Sequence, residues 1–309
     1  TMIRLAEQNN KICAITAAMS TGTGLDGFGE KFPDRFFDVG IAEGHALTFA
    51  AGLAAHGMRP VCALYSTFLQ RAVDQMIHDI ALQNLPVTVA IDRAGLVGED
   101  GATHQGAFDF SYLRFIPNFT IMAPADENEL QHMLATSLTL SGPVAIRYPR
   151  GSGTGIALDA ELQPLPVGKG EIKREGKDVF IVAIGNTVYP ALEAAQLLAS
   201  SNISCGVANM RFLKPFDDRL ILSLLDSAKR LVVIEENSVL GGLNSAVSEL
   251  LVGRDVKILK IGLPDSFIEH GHPSILREKY GLTSKKIAEQ IRQWMKQGVE
   301  STQWKAERR

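Results

Sequence analysis

Charged and aromatic side chains follow several candidate strands, at the point where each strand ends. In chain order these residues are Glu43, His45, Tyr65, Phe68, Arg71, Arg93, Asp100, His104 and Arg150. In an open parallel sheet, ligands bind beyond the carboxyl ends of the strands, where loops and helix N-termini meet. A carboxylate or an imidazole there can transfer protons, an aromatic ring can stack on a flat ligand, and arginines can hold a phosphate. The pattern therefore predicts one ligand-binding edge in the first half of the chain.

Two of these residues have a structural explanation as well as a functional one. Glu43 opens a predicted helix at residues 43–55, where the helix dipole favours an acidic side chain in any case. That helix is rich in small apolar residues, so we expect it to be buried and its carboxylate to need a partner. Phe68 begins the predicted helix at residues 68–83, where its ring either packs against that helix or stays exposed for stacking. On the residues alone, both alternatives remain open.

A glycine-rich loop, residues 92–109, contains Arg93, Asp100 and His104 in the sequence DRAGLVGEDGATHQGAFD. Loops of this length without secondary structure are usually functional or mobile inside a compact domain, although plain solvation also explains their polar residues. Arg150 follows a strand in RYPRG and is expected at the same edge. Because arginines bind terminal phosphates through planar, bidentate hydrogen bonds, Arg93 and Arg150 are candidates for that role.

Short β-branched runs alternate with helical patterns along the whole chain, which is typical of βαβ units and parallel sheets. Strands are predicted at residues 12–16, 36–39, 61–65, 87–91, 120–123, 144–148, 179–184, 205–209, 231–235 and 257–261, and helices at 43–55, 68–83, 127–138, 189–200, 217–228, 244–252, 275–280 and 284–296. Residues 156–177 lack a helical period and are predicted as a linker. The sequence thus predicts an α/β protein of two domains, 1–155 and 178–309, each a mostly parallel sheet covered by helices.

The composition of the 309 residues argues against several classes of protein. Hydrophobic residues make up 46% and charged residues 21%, the balance of a soluble globular chain rather than a disordered one. The net charge of −3 provides no basic field for nucleic acid, and the apolar stretch at residues 46–55 is about half the length that spans a bilayer. No signal peptide is recognised. Cys13, Cys62 and Cys205 lack CxxC spacing, so we expect buried thiols, no metal site and a cytoplasmic location.

The segment from Gly22 to Gly27 matches the G-x-G-x-x-G pattern of dinucleotide-binding folds. Those folds require a full crossover helix directly after the glycines. Here the chain reaches Pro33 within a few residues and then enters the next predicted strand. The match therefore does not predict a nicotinamide site.

Several longer motifs resemble a known family. In the first half they are DVGIAEGHALTFAAGLA, YSTFLQRAVDQMIHDIALQNLPV, IDRAGLVGEDGATHQGAFDFSYLR and RYPRG, and in the second half NMRFLKPFDD, VVIEENSVLGGLNSAV and IGLPDSFIEHG. These motifs resemble the pyrimidine-binding and C-terminal domains of the 1-deoxy-D-xylulose 5-phosphate synthase family, within the transketolase-like thiamine diphosphate enzymes. The resemblance covers essentially the whole chain, and TFLQR and DGATHQGAFD are specific to this synthase within the wider family.

The resemblance implies that this chain binds the pyrimidine end of thiamine diphosphate. Glu43, in the IAE motif, would share a proton with N1′ of the aminopyrimidine. Phe68 would stack on the pyrimidine ring, and Arg71 would support the same pocket. Gly44 stands where many relatives have Gln, which leaves the contacts beside Glu43 undefined.

The resemblance also implies the substrates pyruvate and D-glyceraldehyde 3-phosphate. Tyr65, Arg93 and Arg150 would hold the phosphate of the aldehyde, and Asp100 and His104 would assist pyruvate binding and proton movement. The implied reaction is decarboxylation of pyruvate and ligation of the remaining two carbons to the aldehyde. Its product would feed isoprenoid, thiamine and pyridoxal precursors.

Other parts implied by the resemblance are missing. Enzymes of the family bind the diphosphate and Mg²⁺ through a separate N-terminal domain with a GDG motif followed by an Asn, and no such motif occurs in this sequence. We therefore expect a fragment or one subunit of a split enzyme, which forms a homodimer and is inactive by itself. Alternatives are the corresponding subunit of a split transketolase or 2-oxoacid dehydrogenase, or a non-catalytic dimerisation module. TFLQR and DGATHQ favour the synthase.

Overall fold

In the computed structural model, which describes residues 1–296, the chain forms two sheets with helices packed against them. The first six strands are β1 (Ile12–Thr16), β2 (Phe36–Asp38), β3 (Arg59–Tyr65), β4 (Thr88–Ala94), β5 (Thr120–Met122) and β6 (Val144–Pro149). The next six are β7 (Glu171–Arg174), β8 (Val179–Ala183), β9 (Cys205–Asn209), β10 (Phe212–Lys214), β11 (Arg230–Ser238) and β12 (Lys257–Leu263). The predicted α/β class with two mostly parallel sheets is confirmed.

The first sheet has seven strands in the order β10-β5-β6-β4-β3-β1-β2. All pairs among β1 to β6 are parallel, so their carboxyl ends meet at one edge. Tyr65, at the end of β3, lies opposite Asp92 of β4, and Ala94 of β4 lies opposite Pro149 of β6. The candidate residues that follow these strands are therefore carried to the same edge of the sheet.

The seventh strand of this sheet, β10, comes from the second half of the chain. It pairs antiparallel with β5, and its Phe212 is buried in a cluster with Met122, Met133 and Ile146. A strand of three residues has too little apolar alternation to be recognised in the sequence. The first sheet is thus completed by residues that lie beyond the predicted linker.

The second sheet has the order β12-β11-β8-β9-β7. Its strands pair parallel except for β7, which lies antiparallel on the edge of β9. β7 lies inside residues 156–177, for which the sequence predicts no strand because the charged run EIKR lacks an apolar period. A division of the chain at this segment stays a prediction.

The helices surround both sheets. They are α1 (Met2–Gln8), α2 (Asp26–Lys31), α3 (Glu43–Ala55), α4 (Ser66–Leu69), α5 (Val73–Gln75), α6 (Asp109–Phe115), α7 (Glu127–Ser137), α8 (Val188–Ala199), α9 (Asp218–Ser227), α10 (Leu243–Leu250), α11 (Pro273–Lys279) and α12 (Ser284–Lys296). Within residues 1–296, none of the helices combines the length and the apolar character that crossing a bilayer requires.

The sequence predicts one continuous helix at residues 68–83, and that prediction is wrong because the winding of the segment changes along its length. The chain instead forms α4, a 3₁₀ turn at Gln70–Ala72, α5 and a π-helical turn at Met76–Ala81. The apolar side of the segment is still buried, as its spacing predicts: Leu69, Ala72, Met76 and Ile80. That spacing does not distinguish the three kinds of helical winding, and π-type turns often occur at functional sites.

Candidate active site

Glu43 is the first residue of α3, and the apolar sequence of that helix holds it inside the molecule. Ala46, Leu47 and Ala50 on the following turns are fully buried, and Glu43 itself is only 4% exposed. Its Oε1 accepts a hydrogen bond from Nη1 of Arg71 at 3.1 Å. The side chain of Arg71 remains 57% exposed. The carboxylate therefore has a cationic partner that a ligand can reach from solvent.

Phe68 lies at the centre of a row of rings and cations. Its ring stacks on that of Tyr65, with centroids 5.6 Å apart and planes at 22°, and the ring of His104 approaches it edge-on at 5.5 Å. The guanidinium carbon of Arg71 is 5.2 Å from the Phe68 centroid. Among residues 1–296, Phe68 is not part of a hydrophobic core cluster. This placement favours the stacking alternative over packing against its own helix.

Arg93 and Arg150 converge on Asp100. Nη1 of Arg93 and Nη1 of Arg150 both donate to Oδ2 of Asp100, at 3.2 and 3.0 Å. The guanidinium carbon of Arg93 also lies 4.0 Å from the ring centroid of Tyr65. The three charged side chains keep between 24% and 46% of their surface exposed. Two cations that share one accessible carboxylate can exchange it for the oxygens of an anionic ligand.

These contacts connect the eight residues to which the family resemblance assigns a role. From one end to the other the row consists of Glu43, Arg71, Phe68, Tyr65, Arg93, Asp100 and Arg150, and His104 joins it from the side through its contact with Phe68. His45, which follows the same strand as Glu43, is not part of this row. Its ring instead stacks on Phe49, with centroids 6.1 Å apart.

The prediction of a loop without secondary structure holds for residues 95–108, whereas residues 92–94 belong to β4 and Asp109 begins α6. The loop is closed at its base. Gly95 and Gly106 exchange two backbone hydrogen bonds, N to O at 2.7 and 2.8 Å. The hydroxyl of Thr67 donates to the carbonyl of Thr103 at 2.7 Å, next to His104. The loop therefore leaves and re-enters the sheet edge at one point, and its Thr103–His104 segment contacts α4.

Sequence reasoning missed Asp92, which enters the prediction only as the first residue of the glycine-rich loop. It is 8% exposed, and its Oδ1 accepts a hydrogen bond from the backbone N–H of Arg93 at 2.6 Å. Burial raises the pKa of Asp92 to about 6, although the Arg93 N–H and the charges of Arg93 and Arg150 act in the opposite direction. Arg93 adopts a left-handed backbone conformation with φ of 56°, which is uncommon for a residue with a side chain and frequent at functional sites. An acidic residue at the end of the apolar strand VTVAI was the available signal.

A buried ion pair underlies the end of the loop. Nε of Arg147 donates to Oδ1 of Asp109 at 2.9 Å, and the two side chains are 2% and 0% exposed. Asp109 Oδ2 also accepts the hydroxyl of Ser66 at 2.8 Å, and Nη2 of Arg147 donates to the carbonyl of Glu236 at 2.6 Å. The pair therefore links α4, α6 and β6 with the end of β11.

A cavity of about 680 Å³ adjoins the arginine end of the row. Its wall includes Asp92, Arg93 and Arg150 from the first sheet and Asn186 and Tyr189 from the second half of the chain. This space can admit a small ligand beside the two arginines. No group of three or more His, Cys, Asp or Glu residues suited to a metal ion occurs in the described part of the chain.

The Gly22–Gly27 segment passes close to Tyr65, at the same edge of the sheet. The crossover after it contains the six-residue α2 and a 3₁₀ turn at Pro33–Arg35. A side chain at Gly22 would place its Cβ 1.9 Å from the hydroxyl of Tyr65. The lack of a side chain at Gly22 is therefore explained by how closely its backbone approaches Tyr65.

Comparisons with known proteins match both halves of the chain. The family described as "Transketolase, pyrimidine binding domain" matches residues 1–154, and "Transketolase, C-terminal domain" matches residues 168–287. A solved structure titled "Split gene transketolase, inactive beta4 tetramer" has a TM-score of 0.86 and 34% sequence identity, with 94% of each chain covered. The chain belongs to the transketolase family.

Curated members of this transketolase family are more similar in sequence. The 1-deoxy-D-xylulose-5-phosphate synthase of Desulforudis audaxviator is 57% identical over 290 residues, which cover 93% of this chain and 46% of that protein. The 1-deoxy-D-xylulose-5-phosphate synthase 1 of Geobacter metallireducens is 55% identical over 296 residues, covering 95% and 47%. The resemblance predicted from the motifs is confirmed, and the chain spans about half the length of the curated relatives it matches.

Proposed function

We propose that this chain provides the pyrimidine-binding and C-terminal half of a 1-deoxy-D-xylulose-5-phosphate synthase. Such an enzyme condenses pyruvate with D-glyceraldehyde 3-phosphate and releases CO₂. One observation carries the proposal: an uninterrupted row of contacts runs from a buried carboxylate, through an aromatic ring, to two arginines. The row combines a proton-transfer group, a stacking surface and phosphate-binding cations at the edge where this kind of sheet binds ligands.

The carboxylate end of the row fits the pyrimidine of thiamine diphosphate. When bound, that cofactor supplies a nucleophilic carbon that takes up the two-carbon unit of a 2-oxoacid. Glu43 is buried at the tip of α3, so it can hold a proton at a ring nitrogen without competition from bulk water. Phe68 offers a ring that the hydrophobic core does not use, and its face suits stacking on a flat heterocycle.

The arginine end of the row fits the phosphate of the aldehyde. Arg93 and Arg150 meet at one oxygen of Asp100, so a phosphate that displaces this carboxylate would be held by both guanidinium groups. Tyr65 stacks under Arg93 and keeps it in place. The displaced Asp100 and the neighbouring His104 would then border the space between cofactor and phosphate, where they assist pyruvate binding and move protons.

The proposal assigns the rest of the cofactor site to another polypeptide segment. Mg²⁺ and the diphosphate would be bound by the N-terminal domain that family members carry, so this chain alone is expected to be inactive. We place the assembled enzyme in the cytoplasm as a homodimer. A second candidate is the corresponding subunit of a split-gene transketolase, which is favoured by the solved structure that matches 94% of both chains.

Reconstitution distinguishes the two candidates. The chain is co-expressed with the N-terminal half of the Desulforudis audaxviator relative and supplied with thiamine diphosphate, Mg²⁺, pyruvate and D-glyceraldehyde 3-phosphate. We expect CO₂ and 1-deoxy-D-xylulose 5-phosphate in equal amounts from the pair, and neither from one half alone. Transfer of a two-carbon unit from a ketose donor without CO₂ would favour the transketolase subunit. An assembled pair that binds the cofactor yet forms no product would contradict both.

A further inference from the structure

The start of the glycine-rich loop is held by a charged pair from the second half of the chain. Oε1 of Glu236, at the end of β11, accepts the backbone N–H of Leu96 at 2.9 Å. The same carboxylate accepts Nε of Arg277 at Oε2 and Nη2 of Arg277 at Oε1, at 2.7 and 3.2 Å. Glu236 is 2% exposed. A buried carboxylate with a bidentate arginine has little freedom to turn, so the N–H it accepts is fixed as well.

Two glycines allow the second half of the chain to approach the loop this closely. A Cβ at Gly95, whose φ is +75°, would lie 2.4 Å from Oε1 of Glu236. A Cβ at Gly98, whose φ is +98°, would lie 2.7 Å from Cδ of Pro273, the first residue of α11. α11 therefore braces the loop twice, directly through Pro273 and indirectly through Arg277 and Glu236.

The end of the glycine-rich loop is also held by hydrogen bonds to the second half of the chain. Nε2 of Gln105 donates to the carbonyl of Glu269 at 3.0 Å, and the N–H of Ser238 donates to the carbonyl of Ala107 at 2.8 Å. Between these anchors the loop carries its two functional candidates, Asp100 and His104. Their positions relative to Phe68 and the arginines are thus set partly from the second sheet.

We propose that Glu236 and Arg277 are positioning residues for the aldehyde substrate. They act through the Leu96 N–H, which fixes the start of the glycine-rich loop and so the placement of Asp100 between the two arginines. The inference deepens the proposed function and rests on it only for the identity of the substrate. Neither residue contacts the row of site residues, so their effect on catalysis is indirect.

Hydrogen exchange on the 309-residue chain alone tests whether Arg277 and Glu236 hold the loop in place. Arg277→Ala should speed exchange of amides 95–106 by about tenfold or more, because Leu96 loses a hydrogen bond to a fixed, charged acceptor. Arg277→Lys should restore part of the protection. Arg114→Ala is the matched control, since Arg114 also bridges the two halves, through Nη1 to Oε1 of Glu249 at 2.9 Å, without touching the loop. Unchanged loop exchange in Arg277→Ala, or an equal increase in Arg114→Ala, would overturn the proposal.

Kinetics of the reconstituted enzyme test the positioning role. Arg277→Ala should raise KM for D-glyceraldehyde 3-phosphate by about tenfold with a smaller change in kcat and in KM for pyruvate, and Arg277→Lys should recover part of it. An unchanged aldehyde KM despite faster loop exchange would overturn the positioning role. If the unsubstituted pair forms no product, the proposed function fails, and the exchange experiment still decides whether Arg277 holds the loop.

Discussion

Replacing Arg147 by methionine should be among the most destabilising single changes in the first sheet. The substitution keeps most of the side-chain volume but removes the cation that faces Asp109, whose side chain is 0% exposed. Asp109 would retain two hydrogen-bond donors, the Ser66 hydroxyl and the Phe110 N–H at 2.7 Å, but no opposite charge. Breaking a buried ion pair from one side costs about 3–5 kcal/mol. We expect the free energy of unfolding to fall by that amount.

Urea unfolding followed by far-UV circular dichroism measures the effect. The matched control is the double variant Arg147→Met with Asp109→Asn, which removes both charges and keeps the shape of Asp109. Because the second substitution relieves the uncompensated carboxylate, the double variant should be more stable than the sum of the two single effects predicts, by at least about 1 kcal/mol. A loss below about 1 kcal/mol for Arg147→Met, or strict additivity of the two substitutions, would refute the reasoning.

Three further predictions follow from groups described above. In the reconstituted enzyme, Glu43→Gln should lower product formation by about 10²–10⁴-fold. The control Asp74→Asn, which changes an exposed carboxylate of α5 that pairs with His78 at 2.8 Å, should leave product formation unchanged, and equal effects would contradict the assignment. Since burial raises the pKa of Asp92 to about 6 from 3.8, its contribution to stability is full below about pH 4 and is lost as the pH rises through about 6. Asp92→Asn should remove that change from urea midpoints measured across this range, and an unaltered pH profile would contradict it. Burial also raises the pKa of the three cysteine thiols, to about 11 for Cys13 and about 12 for Cys205. A thiol reagent should therefore label them only after unfolding. Rapid labelling of the native chain would contradict their burial.

The sequence predicts elements well where local pattern and tertiary environment agree. The predicted bounds of α3 and β9 agree with the structure, because the apolar residues that define both elements in the sequence are buried in the fold. β7 and β10 are missed since their pairing depends on neighbours far along the chain rather than on their own apolar pattern. The local winding of residues 66–81 is likewise not encoded in apolar spacing alone.

The same limit applies to the site. The candidate residues could be named from their positions after strands and from motif resemblance, and the structure brings them together. The contacts that support them could not, because they join residues far apart in the chain: Leu96 with Glu236, Gln105 with Glu269, and Arg147 with the carbonyl of Glu236. Asp92 was missed because its burial depends on how the strands around it pack.

The crossing of β10 into the first sheet has a consequence during synthesis on the ribosome. β6 ends at Pro149, whereas the partner of β5 does not begin until Phe212. At roughly 5–20 residues per second, translation reaches that strand about 3–13 s after β6 is complete. During this interval the outer side of β5 exposes unpaired backbone groups to other nascent chains. A synonymous slow codon placed just before β10 would lengthen the interval, and a chaperone that covers strand edges would matter most within it.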